Sequence, residues 1–500
     1  MKVLQINSVC GIGSTGRIVV QIHKLLKEKG YKSYVAYGRD YARDCDSTVR
    51  IGNKFDNYMH VAITRLFDRH GFGSKKATAN FIEKVEKIDP DIIHLHNIHG
   101  YYVNIELLFK YIKEANKPVV WTLHDCWAFT GHCAHFDYIG CDRWKTGCYE
   151  CPQKKTYPSS ILIDNSKRNF ERKKELFTGI KNMVIVTPSR WLAGLVKESF
   201  LKEYPVKVIN NGIDLEIFKP MESDFRKRYG LENKFIILGV ANVWDKRKGY
   251  DYFIKLSEAL KQDEVIVMVG LTEKQKKNLP KNIIGITRTN NVKELAEIYS
   301  AADVFVNPTL EDNFPTTNLE ALACGTPVVT FNTGGSPECV DESCGVVVEK
   351  GNLKELVNAL EIMKNRGKSS YFWHCVKHTQ HFFDIRDKAI ISFFYSTGCR
   401  ISEIAGSMLK DIDLEQKKLK VYGKGGYERM VFLTDESVAF FRDYIKAREE
   451  LFGNCQGNIF VNRYGKPLSV RGIFGIIEKR AKNASLSSKL TPHTLRHSFA

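Results

Sequence analysis

The sequence has no run of the about eighteen apolar residues that a membrane span requires. Its N-terminus has one Lys and then enters a strand-like stretch, unlike a secretory leader. Low-complexity tracts are absent, as is any repeat beyond two α/β halves. Acidic residues are in short supply: 57 Asp and Glu against 75 Lys and Arg, a net charge of +18. These absences argue against a membrane span and a secretory signal, and the cytoplasm is the expected location. Without export, the 13 Cys are expected as reduced thiols or metal ligands and not as a disulfide frame. The basic balance favours anionic partners, whether phosphates, nucleic acid or acidic lipid, without choosing among them.

What the sequence does have is apolar material: 43% of 500 residues, enough for about two to four packed domains. Up to about residue 345, short β-branched runs alternate with helical stretches: "KVLQIN", "SYVAYG", "DIIHLHN", "PVVWTLH", "MVIVTPS", "VKVINN", "FIILGVAN", "EVIVMVG", "DVFVNPT" and "PVVTFN". Continuous apolar strands separated by helices predict parallel sheets covered on both faces. The expected architecture is α/β, with two Rossmann-like domains, 1–205 and 206–365, around a cleft. A junction, 366–383, leads to a mostly helical segment, 384–500, with a small β-hairpin. Ligands in such sheets sit at the carboxyl ends of strands.

"GIGSTG", residues 11–16, spells G-x-G-x-x-G after a strand and at a helix start, the setting of a dinucleotide site. Such a site also needs an acid at the end of the second strand. That strand ends "YGRD", which puts Asp40 late and Arg39 beside it. A nicotinamide enzyme therefore rests on this loop alone, whereas amides at a helix start still suit a phosphate. In the second half, "PTLEDNFPTTNLEALACGTPVV" places Asp312 and Glu320 eight residues apart, on a loop running into a helix.

This arrangement resembles the retaining glycosyltransferases of family four, which have the GT-B fold and an E-x7-E motif before a small-residue helix. Here Asp312, with Glu311 beside it, stands where the first Glu is usual. "TPSRWLA", "NGIDLEIFKP" and "WDKRKGYDYFI" follow the same family order, and the resemblance covers roughly residues 1 to 380. It implies catalytic roles for His124, Asp312 and Glu320, and donor binding by Gly13, Ser14, Gly16, Arg247, Lys248, Asn313 and Phe314. The usual Arg five residues before Lys248 is replaced by Val243, and Arg247 is the expected substitute. His96, Asn97 and Asp125, at strand ends, are expected on the acceptor side. The implied reaction moves a hexose-type sugar, with retention and without a metal, from a UDP- or GDP-sugar to a glycan or lipid-linked acceptor. None of the three Asp-x-Asp tripeptides lies in a metal-binding context.

Cys133, Cys141, Cys148 and Cys151 fall within nineteen residues and end in C-x2-C. They fit a structural tetrathiolate zinc site or four unligated thiols in a Gly-rich loop, and the spacing leaves both open. The basic stretch "NSKRNFERKKELFTGIKN" fits a solvated helix or a peripheral membrane contact.

In the last part, "TGCRISE", "VYGKGGYERMVFL" and "TPHTLRHSFA" resemble the catalytic domain of tyrosine recombinases, the phage-integrase family. The resemblance implies a phosphate site of Arg400, Lys424, His493 and Arg496, with DNA contact through residues 384–500. Two Arg would clamp a scissile phosphate, and Lys and His would move protons. The family's nucleophilic Tyr lies downstream of H-x-x-R, beyond residue 500, so strand transfer is not expected. A DNA-binding integrase relic carrying the α/β part as a passenger is the alternative reading of the whole chain.

Overall fold

The computed structural model describes residues 1–379, 383–423, 426–452, 457–462 and 465–483. The chain divides into two compact units, Met1–Val376 and Lys377–Ala500.

The first unit holds two parallel sheets. Seven strands form the first: β1 (Lys2–Asn7), β2 (Lys32–Tyr37), β3 (Thr48–Arg50), β4 (Ile92–Leu95), β5 (Val119–Thr122), β6 (Met183–Thr187) and β7 (Val206–Val208). Their spatial order is β3-β2-β1-β4-β5-β6-β7. Six form the second: β8 (Phe235–Val240), β9 (Glu264–Val269), β10 (Ile283–Ile286), β11 (Val304–Asn307), β12 (Val328–Phe331) and β13 (Gly345–Val348), in the order β10-β9-β8-β11-β12-β13. Consecutive residues such as Ile236, Ile237 and Leu238 are all buried, because helices cover both faces. Each sheet reverses its strand order once, between β1 and β4 and between β8 and β11. These are the switch points where doubly wound sheets open a crevice.

Two expected boundaries move. β7 pairs with β6 through Ile185 and Val206, so "VKVINN" closes the first domain and does not open the second. The junction starts as the helix Lys368–Thr379, whose Tyr371 and Cys375 are buried in the core of the second domain. Lys368 Nζ donates to the carbonyls of Ser300 and Ala302. The basic helix, Ser166–Phe177, buries Asn169, Phe170, Lys173, Leu176 and Phe177, so one face is core and not a free membrane contact. Among the described residues no helix is long and apolar enough to cross a membrane.

In the second unit, β14 (Ile412–Asp413), β15 (Lys418–Tyr422) and β16 (Glu428–Phe432) form an antiparallel sheet. It packs with the helices Phe383–Thr397, Ile401–Gly406, Asp435–Phe452 and Val470–Asn483 around Phe393, Phe441, Tyr444 and Phe460. The break expected at Thr397–Gly398 is present: Gly398 takes φ 58°, which ends the first of these helices.

Candidate active site

The first wall of the cleft comes from the strand ends at the first switch point. After β1 the chain turns through Gly11, where φ is 72° and a Cβ would come within 2.3 Å of the Arg43 carbonyl. The helix Gly13–Glu28 then starts with no side-chain cap and no acid in its first turn, which leaves amide donors for an anion. After β4 and β5 come His96 and His124. Gln5 Nε2 donates to the Val19 carbonyl (3.1 Å), which turns Gln5 Oε1 toward His96 Nε2 (3.3 Å). His96 Nε2 is then the protonated nitrogen, and its Nδ1 accepts from His124 Nε2 at 3.1 Å. The chain fixes the tautomer of His124 and leaves its Nδ1 as an acceptor. Burial pushes the His124 imidazole down to about 4, so it is neutral near pH 7.

The second wall comes from the loops after β8 and β11. Lys248 Nζ pairs with Asp312 Oδ2, and Lys248 N–H donates to Asp245 (2.8 Å). Arg247 donates to the Glu311 carbonyl at 3.2 Å. Gly249 lets the loop approach: at φ 78°, a Cβ would meet the Pro308 carbonyl at 2.2 Å. Burial opposes the charge of Asp312, but Lys248 and Arg247 outweigh it and hold the carboxyl below its ordinary range. Glu320 is buried and accepts from Tyr299 Oη at 3.1 Å. Its burial raises its pKa, against the opposing pull of Arg17 from the first domain.

The walls are joined by named contacts. Glu311, 1% exposed, accepts the amides of Phe136 (2.7 Å), Asp137 (3.0 Å) and Tyr138 (3.2 Å). Asp137 also pairs with Lys350 at 2.9 Å. Ser189 donates to Asn313 Oδ1 at 2.6 Å, while Asn313 Nδ2 donates to the His124 carbonyl.

In the second unit, Arg400 is the described member of the expected phosphate site. Its side chain is 56% exposed, and its amide donates to the buried Glu403 (2.7 Å), which also accepts from Arg429. Lys424, His493 and Arg496 lie outside the described residues.

Comparison with known proteins fits both parts. Residues 15–217 match Glycosyltransferase Family 4, residues 234–365 match Glycosyl transferases group 1, and residues 373–500 match the Phage integrase family. The first ~370 residues are a family-four, group 1 glycosyltransferase domain, and the C-terminus is a phage-integrase domain. The glycosyltransferase domain is similar to the putative colanic acid biosynthesis glycosyl transferase WcaC of Escherichia coli K12, at 26% identity over 381 residues, 71% of this chain and 89% of that protein. Its GT-B fold is shared with sucrose-phosphate synthase from Thermosynechococcus elongatus (TM-score 0.56, 17% identity, 76% of this chain and 93% of that one). WaaG, of lipopolysaccharide biosynthesis, is also similar (TM-score 0.51, 15% identity, 77% and 95%). The integrase domain is 40% identical over 119 residues to the tyrosine recombinase XerC of Lactobacillus delbrueckii. This chain spans 40% of the length of that relative, and the match takes in 23% of this chain.

Within the glycosyltransferase domain, several expected roles change. His96 is 2% exposed with both ring nitrogens engaged, so it reaches the cleft through His124 and not directly. Asp125 is taken up by His99 Nε2 (2.8 Å) and the Trp127 amide (2.9 Å). Burial opposes its charge, but these partners outweigh it and hold the carboxyl low. The Asn313 side chain links the two walls, and Phe314 is buried with its carbonyl accepting from Asn211. Asn97 is half-buried; its amide bonds Asn7 Oδ1 at 3.2 Å, which holds the ends of β1 and β4 together.

Three residues escaped the sequence reading, Gln5, Arg17 and His135, and Glu311 was noted beside Asp312 without its role in joining the walls. His135 lies 3.8 Å from Glu311. Its imidazole is pushed down to about 4 by burial and by Arg247, against the pull of Asp125 and Asp312. Gln5 did leave a signal, as a polar residue inside an apolar strand.

The four Cys line one small cavity with His132 and Trp144. Among the described residues, however, no three His, Cys, Asp or Glu are arranged to hold a metal ion. The cavity fits the spacing, but among the described residues a zinc ligand set is not formed.

Proposed function

We propose that the glycosyltransferase domain moves a hexose-type sugar, with retention, from a UDP- or GDP-sugar to a glycan or lipid-linked acceptor. One observation carries this reading: Lys248 and Arg247 stand beside Asp312 at one switch point, and the helix that starts uncapped at the other brings Arg17 within electrostatic reach of Glu320. Breaking the donor's glycosidic bond builds charge on a diphosphate, and fixed cations and amides aimed there lower the barrier. Arg247, Lys248 and the amides around Gly13, Ser14 and Gly16 supply that charge, so the reading requires no metal. Similar solved structures of Anabaena HepE, with UDP and with UDP-glucose, support the donor class (TM-score 0.53, 16% identity). The neutral His124 presents its Nδ1 acceptor to a sugar hydroxyl, and Asp312 and Glu320 accept others.

Incubation of the full chain with a panel of sugar nucleotides tests the reading. Release of UDP or GDP in the presence of a chelator is expected, with the product anomer matching the donor. Release only with a divalent cation, or an inverted product, contradicts that part of the reading. Nicotinamide binding in place of turnover would favour an oxidoreductase. A second reading concerns the integrase domain, whose exposed Arg400 suits a DNA phosphate. Salt-sensitive binding of duplex DNA that weakens in Arg400→Ala would support it.

A further inference from the structure

The helix Lys54–Phe67 is turned inside out for a soluble surface. Its buried positions include His60 and Thr64, while Phe55, Tyr58, Met59 and Leu66 are 70%, 71%, 47% and 41% exposed. Their spacing, i, i+3, i+4 and i+11, puts them on one stripe, which in a surface helix ordinarily faces the core. A second apolar group sits beside it. Ile161, Leu162 and Ile163 are 62%, 64% and 41% exposed. This loop is tied to the same helix: the Ile161 amide donates to the Arg65 carbonyl (2.7 Å) and Asn165 Nδ2 to the Phe67 carbonyl (2.7 Å). Ser160 Oγ reaches that same Arg65 carbonyl at 3.4 Å, so the helix and the loop form one continuous apolar face. Single exposed apolar side chains are ordinary, but a contiguous group marks a contact surface.

The exposed charges of these segments have one sign. Lys54, Arg65 and Arg69 are exposed on or next to the helix, and Lys155, Lys167 and Arg168 flank the loop. The acids of the same segments are already engaged. Asp56 accepts the Asn53 amide, Asp68 pairs with His132, and Asp164 accepts the amides of Cys151 and Ser166. A second copy of this face would set cations against cations. An anionic bilayer instead offers apolar depth beneath a negative surface, which is the complement of this pattern.

We propose that the helix 54–67 and the loop 160–163 form a docking surface for an anionic lipid membrane. Asn57 Nδ2 donates to the Tyr101 carbonyl at 3.0 Å, which anchors the helix to the loop following β4, the strand whose end supplies His96 to the cleft. The surface thus adjoins the acceptor wall and would bring a lipid-linked acceptor to it, a consequence that rests on the glycosyltransferase reading above. The basic helix Ser166–Phe177, which the sequence left open as a solvated helix or a membrane contact, contributes only through Lys167 and Arg168, at its start.

Co-sedimentation of the full chain with vesicles tests the surface. Binding is expected to vesicles of phosphatidylcholine with phosphatidylglycerol, weaker binding to phosphatidylcholine alone, and a decline as salt is raised. The double variant Phe55→Ser, Leu162→Ser should lower partitioning about tenfold or more, and Arg65→Gln with Arg69→Gln should reduce the dependence on anionic lipid. All four positions are exposed, so unchanged thermal unfolding is the control for folding. Wild-type partitioning by both variants would overturn the proposal, because binding would then lie elsewhere. So would a wild-type dimer in velocity sedimentation that the same substitutions dissolve. Donor turnover without vesicle binding would remove this surface and leave the transferase reading standing; vesicle binding without turnover of any donor would do the reverse.

Discussion

The two walls of the cleft hold their polar groups in opposite ways. On the second-domain wall, Lys248 and Arg247 stand charged beside a charged Asp312. On the first-domain wall, buried imidazoles are kept neutral, and His124 is oriented through His96 and Gln5. The difference suggests a division of labour. The charged wall meets the part of a donor that gains charge, and the neutral wall orients hydroxyls without adding a second field. A desolvated ion pair supplies electrostatic stabilisation that is already in place, whereas a neutral imidazole supplies direction and a defined acceptor.

Removing charge from the second wall should have the largest effect. Lys248→Ala is expected to lower kcat/KM for the sugar nucleotide by about 10²–10³-fold, with Lys248→Arg retaining part of it; steady-state kinetics would show this. Equal losses from His124→Ala and Lys248→Ala would erase the distinction between the walls. His124→Asn, which can still accept a hydrogen bond, should cost less, on the order of 10–100-fold. His96→Ala should act through the same ring and add little in the double variant, as coupled neighbours do.

The contacts between the walls give a stability prediction. Glu311→Ala strips the acceptor from the amides of Phe136, Asp137 and Tyr138 and should cost about 3 kcal/mol in chemical denaturation of the first unit. Glu311→Gln, which keeps an acceptor oxygen, should cost distinctly less. A further prediction concerns pH. His60, His94 and His124 are held down to about 3, about 4 and about 4, mainly by burial, from an ordinary 6.5. The unfolded chain takes up their protons first, so their contribution is complete above pH 6.5 and is lost as the pH falls toward 4. Each adds a slope of at most about 1.4 kcal/mol per pH unit in that window. A thermal midpoint that stays flat from pH 6.5 to 4.5 would contradict the neutral-wall description.

Much of this arrangement was legible in the sequence. Buried parallel strands read as unbroken apolar runs, so the ten quoted runs all became strands. The strands β3, β10, β13 and β14 were missed: they are only two to four residues long, and "TVR" and "IIGI" carry no period of their own. "VKVINN" was read as a strand but assigned to the wrong sheet, because strand partners are set by tertiary contacts that a run of β-branched residues does not encode. Within the site, Lys248 and Asp312 were recoverable from the ordered motifs of a family. Glu311, His135 and Arg17 were not, since each acquires its role only when residues far apart in the chain meet across the cleft. His96 and Asp125 stood out as polar residues at strand ends, but nothing in their spacing showed that neighbouring side chains had already taken their hydrogen bonds.

Calorimetric titration of UDP and GDP into the full chain and into Lys248→Ala tests the charged wall most directly. The account predicts binding of at least one of the two by the wild type, weakened by about 2 kcal/mol, or roughly thirtyfold, in the variant, as expected for a lost charge-assisted contact. Unchanged affinity in Lys248→Ala, or a wild type that binds neither nucleotide, would contradict it.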